Sequence, residues 1–194
     1  MLRDIVSIAG DAKIEVGGDK ERLAFELGKA LIDAGYRVQT GGLGGVMEAV
    51  CRGARASEKY RDGDIIALVP SFDATEVNKY ADIVIPTGLD VMRNSMVANA
   101  CAVIAIGGGA GTLSEMAFAW TFSRLLIAYE NVDGWSSKLA GTKLDDRNRY
   151  PDIENDMVYP VSSASEAVEI LNKYIKVYTK RHKGIVYMDN IRKN

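Results

Sequence analysis

The 194 residues carry 24 basic and 26 acidic side chains spread along the chain, for a formal charge of −2, so no broad positive face for nucleic acid is encoded. At 47% apolar residues the chain can bury a core as one domain over 1–194, and no run of about 18 apolar residues marks a membrane span. Cys51 and Cys101 stand far apart, outside any C-x-x-C pair, which reads as two reduced, buried thiols; with no signal-peptide core at the N-terminus, the chain is expected to be cytoplasmic.

Short β-branched runs alternate with amphipathic stretches. Ile5 to Ala9 reads as a strand, followed by a loop and a helix over 19–34 with Leu23, Leu27, Ala30 and Leu31 on one face and Gly35 as its stop. Tyr36 to Thr40 is the second strand, a helix runs over 46–60, and Asp64 to Val69 is the third strand. Ile83 to Pro86 is the fourth strand, and a helix over 90–100 leads to the fifth, Ala102 to Ile106, apolar throughout and therefore central. A helix over 112–124 and a strand from Leu125 to Tyr129 follow. Residues 131–156 are polar and irregular, with Trp135 as an anchor. Met157 to Val161 reads as a seventh strand, and Ser163 with Glu166 has capping-box spacing at the start of a helix to Lys176. In the tail, 177–194, Gly184 to Met188 reads as an added edge strand or a subunit contact. The alternation predicts the α/β class: a Rossmann-like, doubly wound, mostly parallel sheet of six or seven strands with helices on both faces.

Two glycine clusters fall in loops that leave carboxyl ends of strands, the edge where such sheets bind ligands. One is Gly41-Gly42-Leu43-Gly44-Gly45-Val46-Met47; the other is Gly107-Gly108-Gly109-Ala110-Gly111-Thr112. Each precedes a helix whose free amides and dipole suit a phosphate. The second cluster has threonine where the dinucleotide fingerprint needs its last glycine, and neither ends in the lysine of a Walker A loop. NAD and nucleotide triphosphate hydrolysis are thus unsupported, no cofactor is expected, and a mononucleotide or sugar phosphate remains. The only histidine, His182, has no companion ligand, so no metal is expected either.

Gly108-Gly109-Ala110-Gly111-Thr112-Leu113-Ser114-Glu115 resembles the G-G-x-G-T-x-x-E core of the Lonely Guy (LOG) phosphoribohydrolases of the SLOG superfamily, and Gly41 to Met47 with Gly53-Ala54 is similar to that family's second glycine motif. The resemblance implies a Rossmann-like fold, a homodimer or higher homo-oligomer, and a site for a nucleoside 5′-monophosphate, with Arg93 and Glu115 as the catalytic pair. Gly10, Gly41, Gly42, Gly44, Gly45, Met47, Gly107, Gly108, Gly109, Gly111 and Thr112 are the candidate ligand-binding positions. Two departures, Gly107 where LOG enzymes have proline and Asn94 where they have lysine, look closer to the branch of molybdenum cofactor carrier proteins.

Two readings therefore stand. In one, the chain hydrolyses the N-glycosidic bond of a nucleoside 5′-monophosphate, with Glu115 stabilising an oxocarbenium-like state or activating water. In the other, it binds a nucleotide or molybdopterin without chemistry. A DNA-handling role of the same superfamily is disfavoured by the acidic balance. Structural alternatives are plain: Thr112 and Glu115 have capping-box spacing, Arg93 could partner an ordinary carboxylate, and Met47, Met92, Met96 and Met116 read as core. Asp90, Glu48 and Asp11 are the candidates to protonate a departing base.

Overall fold

The computed structural model describes residues 3–180. Seven strands, β1 (Ile5–Gly10), β2 (Arg37–Thr40), β3 (Ile65–Val69), β4 (Ile83–Pro86), β5 (Ala102–Ile106), β6 (Leu125–Tyr129) and β7 (Tyr159–Val161), form one sheet in the order β4-β3-β2-β1-β5-β6-β7. Every pairing is parallel. The chain winds outward from β1 to one edge, returns to β5, and winds outward to the other. The reversal therefore lies between β1 and β5, whose registers pair Gly10 with Ile106.

Alternation within β5 shows why the sheet needs cover on both faces. Ile104 and Ile106 enter a core with helices α1 (Asp19–Asp33), α2 (Val46–Arg55) and α6 (Ala164–Thr179), whereas Val103 and Ala105 pack with α3 (Asn94–Ala98) and α4 (Ala110–Thr121). All five β5 residues are buried, as a two-sided core requires. Helices α1 and α2 pack so closely that a Cβ on Gly28 would overlap the Val50 carbonyl, and one on Gly53 the Phe25 carbonyl. Gly35, at φ +89°, ends α1 as expected: its N–H reaches the Ile32 carbonyl at 2.9 Å and that of Tyr36 reaches Leu31 at 3.0 Å.

Several boundaries differ from the sequence reading. Helix α2 stops at Arg55, short of Tyr60, because the Ser57 hydroxyl turns to the Asp33 carboxylate at 2.5 Å while accepting the Lys59 N–H. The stretch 90–100 is a 3-10 turn, Asp90–Arg93, followed by the short α3. Helix α4 starts at Ala110, two residues before Thr112, and ends at Thr121, where Ser123 enters the left-handed region at φ +56°. At α6 the Ser163 hydroxyl accepts the Glu166 N–H, but Glu166 returns the bond to Ser162. Cys51 is buried as expected, but Cys101 is only half-buried, with its thiol toward Asp4. Met92 and Met96 are exposed, whereas Met116 is core. The proposed edge strand at 184–188 and His182 lie outside the described residues.

The irregular stretch 131–156 carries a helix the sequence did not signal, α5 (Trp135–Leu139). Its far end is pinned by Arg149, whose guanidinium lies 3.5 Å over the Trp120 ring and bonds both oxygens of Asp156 at 2.9 and 2.6 Å. Trp135, the expected anchor, is only partly buried against the α4 side of the core.

The α1–α2 contact gives a direct stability test. Gly53→Ala should lower unfolding free energy by about 2–3 kcal/mol, the upper part of the range for inserting a methyl into closed packing, and denaturant unfolding would measure it.

Candidate functional site

At the reversal point the carboxyl ends of β1 and β5 open a cleft of about 210 Å³ lined by Gly10, Asp11, Ala12, Leu43, Met47, Arg93, Asn94, Gly109, Gly111, Thr112 and Glu115. Seven of these are expected site residues, drawn from the end of β1, from both glycine clusters with the helix that follows the second, and from the segment before β5. Helix α4 supplies one wall. Its N-cap, Gly109, carries no side-chain cap, and the first helical bond runs from the Leu113 N–H to the Gly109 carbonyl at 3.0 Å. A Cβ on Gly109 would meet nothing within 4 Å. One on Gly111 would reach only the Asn94 amide, at 4.0 Å. Here backbone is bare, at the positive end of a twelve-residue helix.

One turn into α4, Glu115 stands on the same face as Gly111, four residues on. Its Oε1 accepts from Arg93 Nη1 at 2.9 Å, and both residues are only 6% exposed. Arg93 Nη1 also donates to Asn94 Oδ1 at 3.0 Å, and Nη2 points to the Gly41 carbonyl at 3.5 Å. The Asn94 amide in turn donates to Ser114 Oγ at 2.8 Å, and that hydroxyl donates to the Gly111 carbonyl at 2.7 Å. Arg93, Asn94, Ser114 and Gly111 thus form one relay that locks the 3-10 turn to the start of α4. Arg93 Nε is buried without a hydrogen-bond partner.

This arrangement replaces the capping box as the account of Glu115. With Gly109 as the cap, Thr112 is inside the helix, where its side chain packs against Gly108, and the Glu115 carboxylate turns to Arg93. Burial pushes the Glu115 carboxyl up to about 7, although the nearby Arg93 charge and hydrogen bond pull it down. A carboxyl with that pKa exchanges protons near neutrality.

The other expected glycines stand behind the cleft wall. A Cβ on Gly41 would lie 2.6 Å from Arg93 Nη2, so this glycine makes room for the guanidinium. Gly42 packs under Val69, and its carbonyl accepts from Asn78. Gly44 and Gly45 back onto the Asp11–Ala12 backbone, and the Val46 N–H donates to the Asp11 carbonyl at 2.9 Å. Of that loop only Leu43 and Met47 line the cleft. Gly107 and Gly108 adopt φ of +64° and +96°, and their amides are already used: Gly107 N–H donates to Ser136 Oγ at 2.8 Å and Gly108 N–H to Asp11 Oδ2 at 2.9 Å. The Trp135 and Ser136 amides donate back to the Gly108 and Gly107 carbonyls, each at 3.0 Å. Helix α5 therefore braces the glycine turn. Nothing in its polar sequence flags Ser136 as a partner of that corner.

Of the three candidate proton donors only Asp11 lines the cleft. Glu48 borders a different cavity, with Arg52 and Lys13. Among the described residues no group of three or more His, Cys, Asp or Glu side chains is placed to hold a metal ion, and no helix is long and apolar enough to cross a membrane.

The model of the SLOG cluster4 family matches residues 3–158. The chain belongs to that family. As a SLOG cluster4 member it is also similar to two solved structures: that of TM1055 (28% identity, TM-score 0.74, covering 88% of this chain and 99% of that one) and that of the molybdenum cofactor binding protein from Rippkaea orientalis (29% identity, TM-score 0.73, covering 90% and 99%). An uncharacterized protein of Archaeoglobus fulgidus is 37% identical over 99 residues, which span 50% of this chain and 62% of that protein.

Titrating the Glu115 side chain by NMR should give a midpoint near 7. In Arg93→Gln the midpoint should move higher, because burial remains while the stabilising cation is gone. An unmoved midpoint would mean that the pair does not form in solution.

Proposed function

We propose that this SLOG cluster4 protein binds a phosphorylated, nucleotide-like ligand in the cleft and hydrolyses its N-glycosidic bond. The observation that carries the reading is the meeting of bare backbone at Gly109 and Gly111 with the buried Arg93–Glu115 pair in one cleft. The α4 amides hold the phosphate, and Glu115, a turn further in, faces the sugar. At about 210 Å³ the cleft is smaller than the roughly 300–1,000 Å³ of common ligand cavities, which suits a ribose phosphate with its base toward the mouth.

In the reaction, the bond from the anomeric carbon to the base breaks with its electron pair leaving on the base. A water oxygen bonds to that carbon, and the proton it sheds balances the one the base gains. The Glu115 carboxylate accepts the water's proton or stabilises positive charge at the anomeric carbon, and Arg93 fixes its position. The assembly is proposed to be a homodimer or higher homo-oligomer, and the compartment the cytoplasm.

A second reading, binding without turnover, is favoured by one observation. Arg93 is already committed to one oxygen of Glu115 and to Asn94, the residue that stands where LOG enzymes have lysine. Similarity to the Rippkaea orientalis molybdenum cofactor binding protein supports it, with a molybdenum cofactor as the ligand.

Incubation with a panel of nucleoside 5′-monophosphates, followed by chromatography for free base, separates the readings. Hydrolysis predicts release from at least one of them and a loss of about 10²–10⁴-fold in Glu115→Gln. Because the carboxylate is the active form and its pKa is raised to about 7, kcat/KM should climb as pH rises through that value and level off above it. Equal inertness of both proteins toward every bound nucleotide would leave the binding reading alone.

A further inference from the structure

The residue after β1 stands between the cleft and the glycine turn. Asp11 lines the cleft, and its Oδ2 accepts from the Gly108 N–H at 2.9 Å and from Lys20 Nζ at 2.7 Å. Lys20 is itself held on the far side by Asp133 at 2.9 Å. A Cβ on Gly107 would strike both Asp11 Oδ2 and the end of Lys20, so the carboxylate lies directly against the glycine turn. In dinucleotide-binding sheets the glycine-rich turn, there the first βα turn, leaves its backbone open to a pyrophosphate. Here the row of amides is divided. Its first part, Gly107 and Gly108, is closed by Ser136 and by a fixed anion, and its second part, at Gly109 and Gly111, is open.

Charge makes the same division. Among the described residues Arg93 is the one cation lining the cleft, and Glu115 offsets it. Lys20 is shared by Asp11 and Asp133. A single phosphate can rest on the helix dipole and amides alone. A second phosphoryl group would meet the Asp11 carboxylate, whose ion-pair partner Lys20 is already shared with Asp133.

The geometry points to Asp11 as the specificity-determining residue that restricts the ligand to one phosphoryl group: phosphomonoesters enter, whereas diphosphates and dinucleotides do not. The inference rests on the reading that phosphate sits at the start of α4.

The test uses the full chain, with inorganic phosphate and inorganic pyrophosphate titrated against its amide NMR signals, so that no base has to be guessed. Wild type should bind phosphate at the Gly109–Thr112 amides at least about tenfold more tightly than pyrophosphate, a modest result for like charges within a few ångströms. Asp11→Asn keeps an oxygen to accept the Gly108 N–H and should bring the two affinities within about threefold. Asp11→Ser, which also removes the charge while keeping a side-chain oxygen, should narrow the gap likewise and keeps the test decisive should the asparagine variant not fold. Equal affinities in wild type, or a preference unchanged in Asp11→Asn, would overturn the role of Asp11 while leaving the anion site in place. Binding of neither anion at α4 would overturn this inference together with the proposed function.

Discussion

Arg93 and Glu115 are both withdrawn from water, and removing two charges from solvent costs several kcal/mol per ion unless geometry and added hydrogen bonds restore it. Much of the local structure satisfies that demand. The 3-10 turn brings Arg93 inward, Asn94 accepts one of its hydrogens, and Gly41 gives up a side chain so that the guanidinium can lie against backbone. Even so, one donor, Arg93 Nε, is left without a hydrogen-bond partner, a cost that calls for an explanation such as a role in the site. Placing the ion pair one turn inside α4 fixes the distance between a carboxyl that titrates near neutrality and the bare amides at the helix start.

The frame that allows this is the reversal between β1 and β5. Because the loops after both strands leave at one edge, Asp11 from one and the glycine turn from the other can meet across the gap. Helix α5 holds the turn from behind through three hydrogen bonds between Ser136 or Trp135 and the backbone of Gly107 and Gly108. Arg149 then fastens the end of the same segment to Trp120 of α4 and to Asp156. A stretch with no regular pattern is thus the brace of the site.

Periodicity and glycine placement were enough to find the sheet: β4, β5 and β6 occupy the expected residues, and both glycine loops lie at the expected edge. They could not say why each glycine is there. Gly41 serves an arginine fifty-two positions away, and Gly107 and Gly108 serve a turn whose amides the protein itself uses. Both facts depend on long-range contacts that local pattern does not encode. Thr112 and Glu115 show the same limit. Their spacing suits a capping box, but the bare Gly109 starts the helix earlier, which frees Glu115 for Arg93. Helix α5 went unseen because five residues, Trp135–Leu139, are too few to show a period.

The central claim is that a phosphoryl group sits on the first amides of α4, beside Glu115. A crystal structure of the protein soaked with ribose 5-phosphate tests it most directly. The account predicts phosphate oxygens about 3 Å from the amides of the Gly109 to Thr112 stretch, with the sugar turned toward Glu115. A phosphate seated instead beyond Lys20, in the larger cavity of about 430 Å³ at the start of α1, with this cleft empty, would contradict it.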